Sequence, residues 1–485
     1  MHSDVNFWIR IARDWAHGAT LYTDAYDNKL PTVYLFARLI DSSNPALTWY
    51  LAEVVYVTGA AVALFAAMRT TAPFSAVVAP LLLIVWTGVM PTGQGTEAIA
   101  LGLDVIAVSL YAIVAQSGKW WIGLLAGAAA ALMVSFRPPT LLHLLAYIPL
   151  FYVLCRRYGI RIAAYAAAAF VIGAATIIVA IAAHAMIRGY WAPMLGVLRL
   201  DMHYASMARV PLRHALHLLI ERCMPLLVNG YAPGLLAMVT IISAAWRSRE
   251  TAQLSSWRLW LIVSGLWLLA ALAGTLPGGR AFIHYYHVIW APMSVLGALW
   301  LDILFRKRPI RSFGLPLAGA LIVFTVAYAA LDLSGAAIRQ AHAGLALGTN
   351  QLVRPVAADL NDLIPPNEIA PICVWGHWSE LYWRVPRRSV TPAMVPIIFL
   401  EIAPELFDQW TAAMLESRPS IIVFDEWGFG PTSRWRYLYA GRPGVAELQA
   451  MLTKEYVEIR RWHDLYILAR RGSRYDVSRP HSVMP

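Results

Sequence analysis

Acidic and basic side chains lie beside long apolar stretches of this chain, and their types suit phosphate and proton chemistry. They are Asp4, Asp24, Asp27, Lys29, Glu97, Arg137, Arg188, Asp201, His203, Arg280, His284, Tyr285 and Tyr286. Charged groups at membrane depth cost free energy, so by default they mark a functional site. A carboxylate can take the proton from an attacking hydroxyl, and lysine or arginine can neutralise a departing phosphate. This combination fits the transfer of a sugar from a lipid-phosphate donor.

Structural roles compete with the chemical ones for several of these residues. Ser3 or Asp4 is suited to capping a following helix, and Glu97 opens a helix whose dipole favours an acid there. Lys29 is either a phosphate ligand or an anchor at the membrane surface. Asp27 either holds Lys29 in place or acts on the acceptor.

The same choice arises among the later residues. Arg188 and Arg199 suit snorkelling to lipid headgroups, and Tyr285 with Tyr286 suits an aromatic belt. Arg280 and His284 are four residues apart; on a helix they would share a face and could clamp a phosphate together.

The composition indicates a polytopic membrane protein. Of 485 residues, 59% are hydrophobic and 14% are charged, with a mean hydropathy of +0.56; soluble domains carry about 25% charged residues. The net charge of +11 does not indicate nucleic acid, because the basic residues lie in short loops between apolar segments. Three cysteines are too few for a disulfide framework, and no Cys/His spacing typical of a metal site is present.

A membrane-spanning helix needs roughly 20 mostly apolar residues, and ten stretches qualify. They are 47–68, 73–90, 97–116, 120–136, 139–155, 162–186, 226–245, 258–276, 284–304 and 313–332. One alternating set of short loops carries clustered basic residues: Arg69, Lys119, Arg156, Arg157, Arg161, the "RSRE" segment with Arg258, and the segment 306–311. By the positive-inside rule these loops are cytoplasmic and the opposite set faces outward. No apolar stretch precedes the outward N-terminal segment, so a first membrane helix is expected upstream of Met1.

Two outward elements flank the predicted helical bundle. Phe7, Ile11 and Trp15 are spaced as on one face of a helix, which predicts an amphipathic helix lying on the membrane surface within a first outer loop, 1–46. Residues 333–485 read as a small α/β domain, separate from the membrane domain 1–332. Within it, "APICVWG" and "SIIVFDEWG" predict short strands, "APELFDQWTAAMLESRP" a helix, and "VEIRRWHDLYILARR" a hairpin.

Several motifs resemble those of known membrane enzymes. The segment "SDVNFWIRIARDWAHGATLYTDAYDNKLPTVYL" is similar to the first outer loop of GT-C glycosyltransferases of the protein-mannosyltransferase and lipid A aminoarabinose transferase type, including the bacterial RgtA/B/C/D-like members. "GQGTEAIALGLDVIAVSLY", "GLLAGAAAALMVSFRPPT", "GGRAFIHYYHVIWAP" and "ICVWGHWSELYW" resemble later family segments in the same order. Leu30-Pro31 stands where the family often has two prolines.

The resemblance implies roles for particular residues. Asp4 falls at the position of the catalytic carboxylate, and Lys29 at the lysine that approaches phosphate. Arg137 occupies a basic position of the family, and Arg280, His284 and Tyr285 match its "G-G-R-x-Y-x-H-Y" motif.

The expected protein is thus an inner-membrane glycosyltransferase of bacteria with a periplasmic C-terminal domain. It would use a polyprenyl-phosphate sugar as donor, a glycan, lipid or protein as acceptor, and no metal or other cofactor. Asp4 would be the base; Lys29, Arg280, His284 and Arg137 would hold the donor phosphate; Asp27, Glu97 and Tyr285 would contact substrate. The alternatives are a transporter or flippase of lipid-linked glycans, or a polymerase of such glycans.

Overall fold

The fold is mainly helical, with one small sheet near the C-terminus. The computed structural model describes residues 3–23, 27, 29–41, 45–89, 95–207, 255–275, 287–306, 353–364, 372–375, 381, 385, 404–425, 441–462 and 465–476.

Thirteen α-helices and one 3-10 helix lie in the described part of the chain. Up to residue 306 they are α1 (Ser3–Ala16), α2 (Pro31–Leu39), α3 (Pro45–Met68), α4 (Pro73–Val89), α5 (Gly95–Ser117), α6 (Ile122–Phe136), the 3-10 helix (Pro138–Ala146), α7 (Tyr147–Ile187), α8 (Trp191–Met207), α9 (Ser255–Thr275) and α10 (Trp290–Arg306). The later helices are α11 (Val353–Leu363), α12 (Pro404–Ser417) and α13 (Val445–Glu455).

Four described helical stretches are long and apolar enough to cross a membrane. They are Thr48–Met68, Gly95–Ser117, Pro138–Ile187 and Trp257–Thr275. Gly95–Ser117 is mostly enclosed by protein, so α5 lies at the centre of the bundle, whereas most of Pro138–Ile187 lies on the outside. Of the ten apolar stretches predicted from the sequence, 226–245 and 313–332 lie outside the described residues, and the others coincide with helical segments.

The stretch Pro138–Ile187 folds back on itself. Gly159 has φ 82° and ψ 163°, which interrupts the 41-residue α7. The rings of Tyr147 and Phe170 are 5.2 Å apart, whereas a continuous helix would separate two residues at this spacing by about 34 Å. The chain therefore turns back at Gly159 between two antiparallel helical arms, as the two predicted spans 139–155 and 162–186 require.

Loops that alternate along the chain meet at one end of the bundle. Gln116 donates from Nε2 to the carbonyl of Ala67 at 2.8 Å, and its own carbonyl accepts a hydrogen bond from the Tyr158 hydroxyl. Trp260 Nε1 donates to Thr71 Oγ1 at 2.9 Å. The basic residues near these contacts are Arg69, Lys119, Arg156, Arg157, Arg161 and Arg258. We call this end the basic end; the starts of α5 and of the 3-10 helix lie at the opposite end.

Close approach of two helices depends on glycine. A Cβ built on Gly127 of α6 would lie 1.9 Å from the carbonyl oxygen of Phe170, and one on Gly173 would lie 2.0 Å from that of Leu124. Backbone atoms cannot move aside without separating the helices, so these positions admit no side chain. Packing small residues in this way lets membrane helices come close without a hydrophobic driving force.

The close approach gives a stability prediction. Gly127→Ala is expected to lower the free energy of unfolding by about 1–3 kcal/mol, since overpacking forces backbone shifts. Gly265→Ala is the matched control, because a Cβ at that helical position would meet nothing within 4 Å. Thermal unfolding in detergent measures the difference. Equal melting temperatures for Gly127→Ala and Gly265→Ala would contradict the packing.

The described residues from 353 onward form an α/β unit. The strands are β1 (Ile372–Trp375), β2 (Ile421–Asp425), β3 (Tyr456–Trp462) and β4 (Leu465–Arg470), in the order β1-β2-β4-β3. β1 and β2 are parallel, and the other two pairs are antiparallel. The predicted strands, the helix between them and the terminal hairpin are all confirmed.

The sheet of this unit is covered on both faces. Ile421 and Val423 pack with α11, whereas Ile422 packs with α12 and α13, as the period-two alternation of strand side chains requires. Leu200 of α8 packs against the α12 side of this core. The α/β unit therefore contacts the helical part of the chain through α8.

Candidate active site

Trp8 lies at the centre of a cluster formed by α1 and the segment that follows it. Its indole Nε1 donates to Asp27 Oδ2 at 3.0 Å, and the hydroxyl of Tyr34 donates to the same oxygen at 2.9 Å. All three residues are buried. Because the buried Asp27 carboxylate accepts two hydrogen bonds, it is fixed in position.

The protonation of Tyr34 supports this arrangement. Burial, and secondly the nearby Asp27 carboxylate, raise the pKa of the Tyr34 phenol well above its usual value. Tyr34 therefore keeps its proton throughout the neutral range and acts as a donor to Asp27. Trp8 and Tyr34 therefore both remain hydrogen-bond donors to Asp27 at neutral pH.

Lys29 lies beside the same tryptophan. Its Nζ is 5.9 Å from the centroid of the Trp8 ring, within range of a cation–π contact. The carbonyl of Lys29 accepts a hydrogen bond from the Tyr22 hydroxyl at 2.8 Å, which fixes the backbone at this residue. Lys29 is only partly buried, so a positive charge is presented at the margin of the cluster.

Glu97 and Arg137 form the second half of the site. Arg137 Nη1 lies 3.4 Å from Glu97 Oε1, and both side chains are about 7% exposed. Thr96 Oγ1 donates to the other oxygen of Glu97 at 3.2 Å. Glu97 is in the first turn of α5, and Arg137 follows the last residue of α6 with an extended backbone. The pair joins two helices at the end opposite the basic loops.

Gly95 connects the two halves. It has φ +57°, and a Cβ built on it would lie 3.3 Å from the ring of Trp8. The backbone before Glu97 therefore packs directly on the tryptophan that binds Asp27. Five segments thus meet here: α1, the segment before α2, α2 itself, the start of α5 and the end of α6.

A cluster of aromatic rings lies next to the Trp8 cluster, towards the C-terminal end of α1. The Trp15 ring lies 5.5 Å from His184 and 5.8 Å from Tyr190, and the rings of Tyr190 and Tyr22 are 6.0 Å apart. Burial raises the pKa of Tyr190 to about 12. These contacts connect α1 with the end of α7 and the start of α8. These three segments therefore share one end of the bundle.

The structure brings several predicted site residues together. Asp27, Lys29, Glu97 and Arg137 lie around Trp8, and Asp4 lies in the first turn of α1, one helical turn before Trp8. The Asp4 side chain is not among the described ones. The predicted residues Arg280, His284 and Tyr285, together with Asp24 and Tyr286, lie outside the described residues. Arg188 is exposed at the end of α7, which agrees with an anchoring role.

The surroundings of α1 differ from the prediction. A helix lying on the membrane surface would bury one face, yet residues 7 to 12 are all buried. Six consecutive residues cover every side of a helix, so α1 is enclosed by other parts of the protein. The predicted helix is present as α1, and α2, the start of α5 and the end of α7 supply contacts that one segment's periodicity cannot reveal. Its place on a membrane surface stays a prediction.

Trp8 and Tyr34 were not predicted as site residues. In a membrane protein a tryptophan is usually interpreted as an apolar or interfacial residue. The partner of Trp8, Asp27, is 19 residues away, so the hydrogen bond is not visible in the local sequence. The spacing of Asp4 and Trp8 was the one available signal, since residues four apart share a helix face. That spacing places the predicted base and the cluster centre on the same side of α1.

The arrangement has a defined chemical capacity. Lys29 can neutralise an anionic oxygen, Asp27 accepts two hydrogen bonds, and Glu97 is paired with Arg137. Among the described residues, no group of three or more His, Cys, Asp or Glu side chains is placed to hold a metal ion. The chain matches no protein-family model and no characterised protein.

Proposed function

We propose that this protein is an integral membrane glycosyltransferase. It moves a sugar from a polyprenyl-phosphate donor to a lipid, glycan or protein acceptor, with inversion and without a metal. One observation carries the proposal: Asp27, Lys29, Glu97 and Arg137 converge around Trp8, at the end of an apolar bundle opposite the basic loops. A lipid-linked donor presents its phosphate at this depth, where a hydrophobic bundle ends in a charged cluster.

The proposed reaction is a single displacement. The acceptor hydroxyl attacks the anomeric carbon opposite the phosphate, and the Asp4 carboxylate takes the hydroxyl proton. The glycosidic C–O bond breaks at the same time, and its electron pair leaves with the polyprenyl phosphate. Lys29, with Arg280 and His284, neutralises the charge that grows on that phosphate. Arg137, which pairs with Glu97, contacts the same phosphate in this scheme.

Asp27 has a supporting role in this scheme. Its two hydrogen bonds, from Trp8 and Tyr34, set its position, and Lys29 is two residues along the chain. In this scheme the fixed Asp27 carboxylate orients Lys29, while Glu97 and Tyr285 contact the sugar or acceptor. Preorganised charges of this kind stabilise a transition state more than mobile ones do.

The proposed topology has ten spans and the site on the outer face of a bacterial inner membrane, with residues 333–485 in the periplasm. The basic end of the bundle supports a cytoplasmic assignment for that end. Leu200 packs on the α/β unit, and α8 begins beside Trp15 at the site end. These contacts favour placing the α/β unit on the same side as the site.

Thiol labelling tests this topology. In a background with Cys155, Cys223 and Cys373 replaced by alanine, Arg188→Cys should react with an impermeant maleimide in intact spheroplasts. Lys119→Cys should react only after permeabilisation. Both residues are exposed at helix ends, so their intrinsic accessibility is matched. Labelling of Lys119→Cys from outside, with Arg188→Cys protected, would reverse the orientation.

An activity assay tests the function itself. Membranes containing the protein are supplied with labelled polyprenyl-phosphate sugars, and transfer of label to lipid, glycan or protein is followed. Loss of donor with gain of labelled acceptor is expected for at least one sugar. Movement of intact donor across vesicles without cleavage would favour a transporter instead.

A further inference from the structure

A hydrogen-bonded network lies within the bundle, away from the Trp8 cluster. Asp104 Oδ2 is 2.6 Å from His143 Nδ1 and accepts a hydrogen bond from Trp267 Nε1 at 2.7 Å. All three residues are fully buried. They come from α5, the 3-10 helix and α9. Ionisable groups in such an environment are costly and are retained where they have a task.

This network joins the same segments as the Glu97–Arg137 pair. Asp104 follows Glu97 by seven residues on α5, which is about two helical turns on one face. His143 follows Arg137 by six residues, and the 3-10 helix between them has three residues per turn. Thr140, His143 and Ala146 are its buried residues, as that period requires. The two pairs therefore hold residues 137–143 against one face of α5 at two positions along that helix, Glu97 and Asp104.

The backbone position of Arg137 depends on the 3-10 helix that follows it. Arg137 has φ −147° and ψ 92°, so the chain turns sharply there between two helices. The Thr140 hydroxyl donates to the Arg137 carbonyl at 2.6 Å, which ties the corner to the first turn of the 3-10 helix. A rotation or shift of this short helix would move the Arg137 backbone directly.

Apolar packing holds the 3-10 helix on one side only. Leu141, Leu142 and Leu145 are 55%, 42% and 44% exposed, so they face away from the bundle. In an apolar environment leucine contacts are exchanged for lipid contacts at little cost, whereas a hydrogen bond has a fixed direction and no substitute. The bond to Asp104 can therefore set the rotation of this helix, which the leucines cannot.

We propose that Asp104 and His143 are positioning residues that hold Arg137 against Glu97 in the candidate active site. Trp267 orients the Asp104 carboxylate from α9. Gly274, seven residues further on α9, lets that helix approach the carbonyl of Pro139, so the helix that carries Trp267 also packs against the start of the 3-10 helix. The consequence for sugar transfer rests on the proposed function; the placement of Arg137 does not.

Three variants and a control test the placement. Asp104→Asn keeps an oxygen that accepts from both Trp267 and His143. Asp104→Leu removes the acceptor, and His143→Phe removes one bond while Trp267 stays bound to Asp104. Ser109→Ala is the control, because Ser109 is a buried polar residue on the same helix. The reaction of Arg137 with phenylglyoxal is followed by mass spectrometry on purified protein in detergent.

The expected result is local. Arg137 is buried in the native protein, and its modification should speed up about tenfold or more in Asp104→Leu and in His143→Phe. Asp104→Asn and Ser109→Ala should react at the parental rate, and hydrogen exchange of α3 and α4 should not change in any variant. If Asp104→Leu does not fold, His143→Phe decides the result.

Two results would overturn the proposal: a parental rate for His143→Phe, or an increase in exchange that extends equally through α3 and α4. The second would show that the network only stabilises the bundle. A separate arm measures sugar transfer, where His143→Phe should raise KM for the donor more than it lowers kcat. If the parent protein transfers no sugar while Arg137 reactivity behaves as expected, the proposed function fails and the positioning role stands.

Discussion

Replacing Asp4 with asparagine is expected to lower the turnover of sugar transfer by about a hundredfold or more. Asparagine keeps the size and much of the hydrogen bonding of aspartate, but it cannot accept the proton of the acceptor hydroxyl. Donor binding should survive, because the base touches the acceptor and not the phosphate. The measurement is kcat and donor KM with purified protein, and the signature is a fall in kcat at nearly constant KM.

The control for this substitution lies on the same helix. Asp14 pairs with Arg10 one turn away and is partly exposed, so Asp14→Asn removes an α1 carboxylate outside the Trp8 cluster and should keep near-parental turnover. If Asp4→Asn also turned over at the parental rate, Asp4 would only cap α1. Asp27, which accepts hydrogen bonds from Trp8 and Tyr34, and Glu97, which pairs with Arg137, would then be the candidate bases.

Replacing Lys29 with alanine is expected to impair handling of the donor. A charge-assisted contact to phosphate is worth about 1.5–3 kcal/mol, so kcat/KM for the donor should fall by roughly ten- to a hundredfold. Lys29→Arg should keep part of the parental kcat/KM for the donor, because the positive charge is present with a different geometry. The donor concentration dependence of transfer is measured for each variant.

Lys119→Ala provides the matched control for Lys29→Ala. Lys119 is an exposed lysine at the basic end of the bundle, so its loss changes net charge equally without touching the site. Similar losses in both lysine variants would mean that general electrostatics at the membrane, rather than a contact at Lys29, governs donor use.

The helical framework was largely accessible from the sequence. Membrane helices must satisfy their backbone internally and need a set length of apolar residues, so stretches such as 97–116 predict α5 to within two residues at its N-terminal end. The turn around Gly159 was also predictable, because its flanking arginines interrupt the apolar run. In the α/β unit, short apolar runs and the proline after α12 were sufficient to place strands and helix.

The site was less accessible because its contacts join distant residues. Glu97 and Arg137 are individually visible as charges beside apolar runs, but their pairing depends on how α5 and α6 pack. Burial of α1 on all sides has the same origin. Asp104 stands alone in an apolar stretch and could have been singled out; its partners, 39 and 163 residues away, could not.

Stoichiometric single turnover tests the central claim most directly. Purified protein in lipid nanodiscs is mixed with a polyprenyl-phosphate sugar labelled in both lipid and sugar, together with the acceptor found by the membrane assay. We predict one molecule of free polyprenyl phosphate per sugar transferred, with the opposite anomeric configuration in the product. A donor that stays intact on prolonged incubation with excess protein would contradict a single displacement at the Trp8 cluster. A product with retained anomeric configuration would contradict it as well.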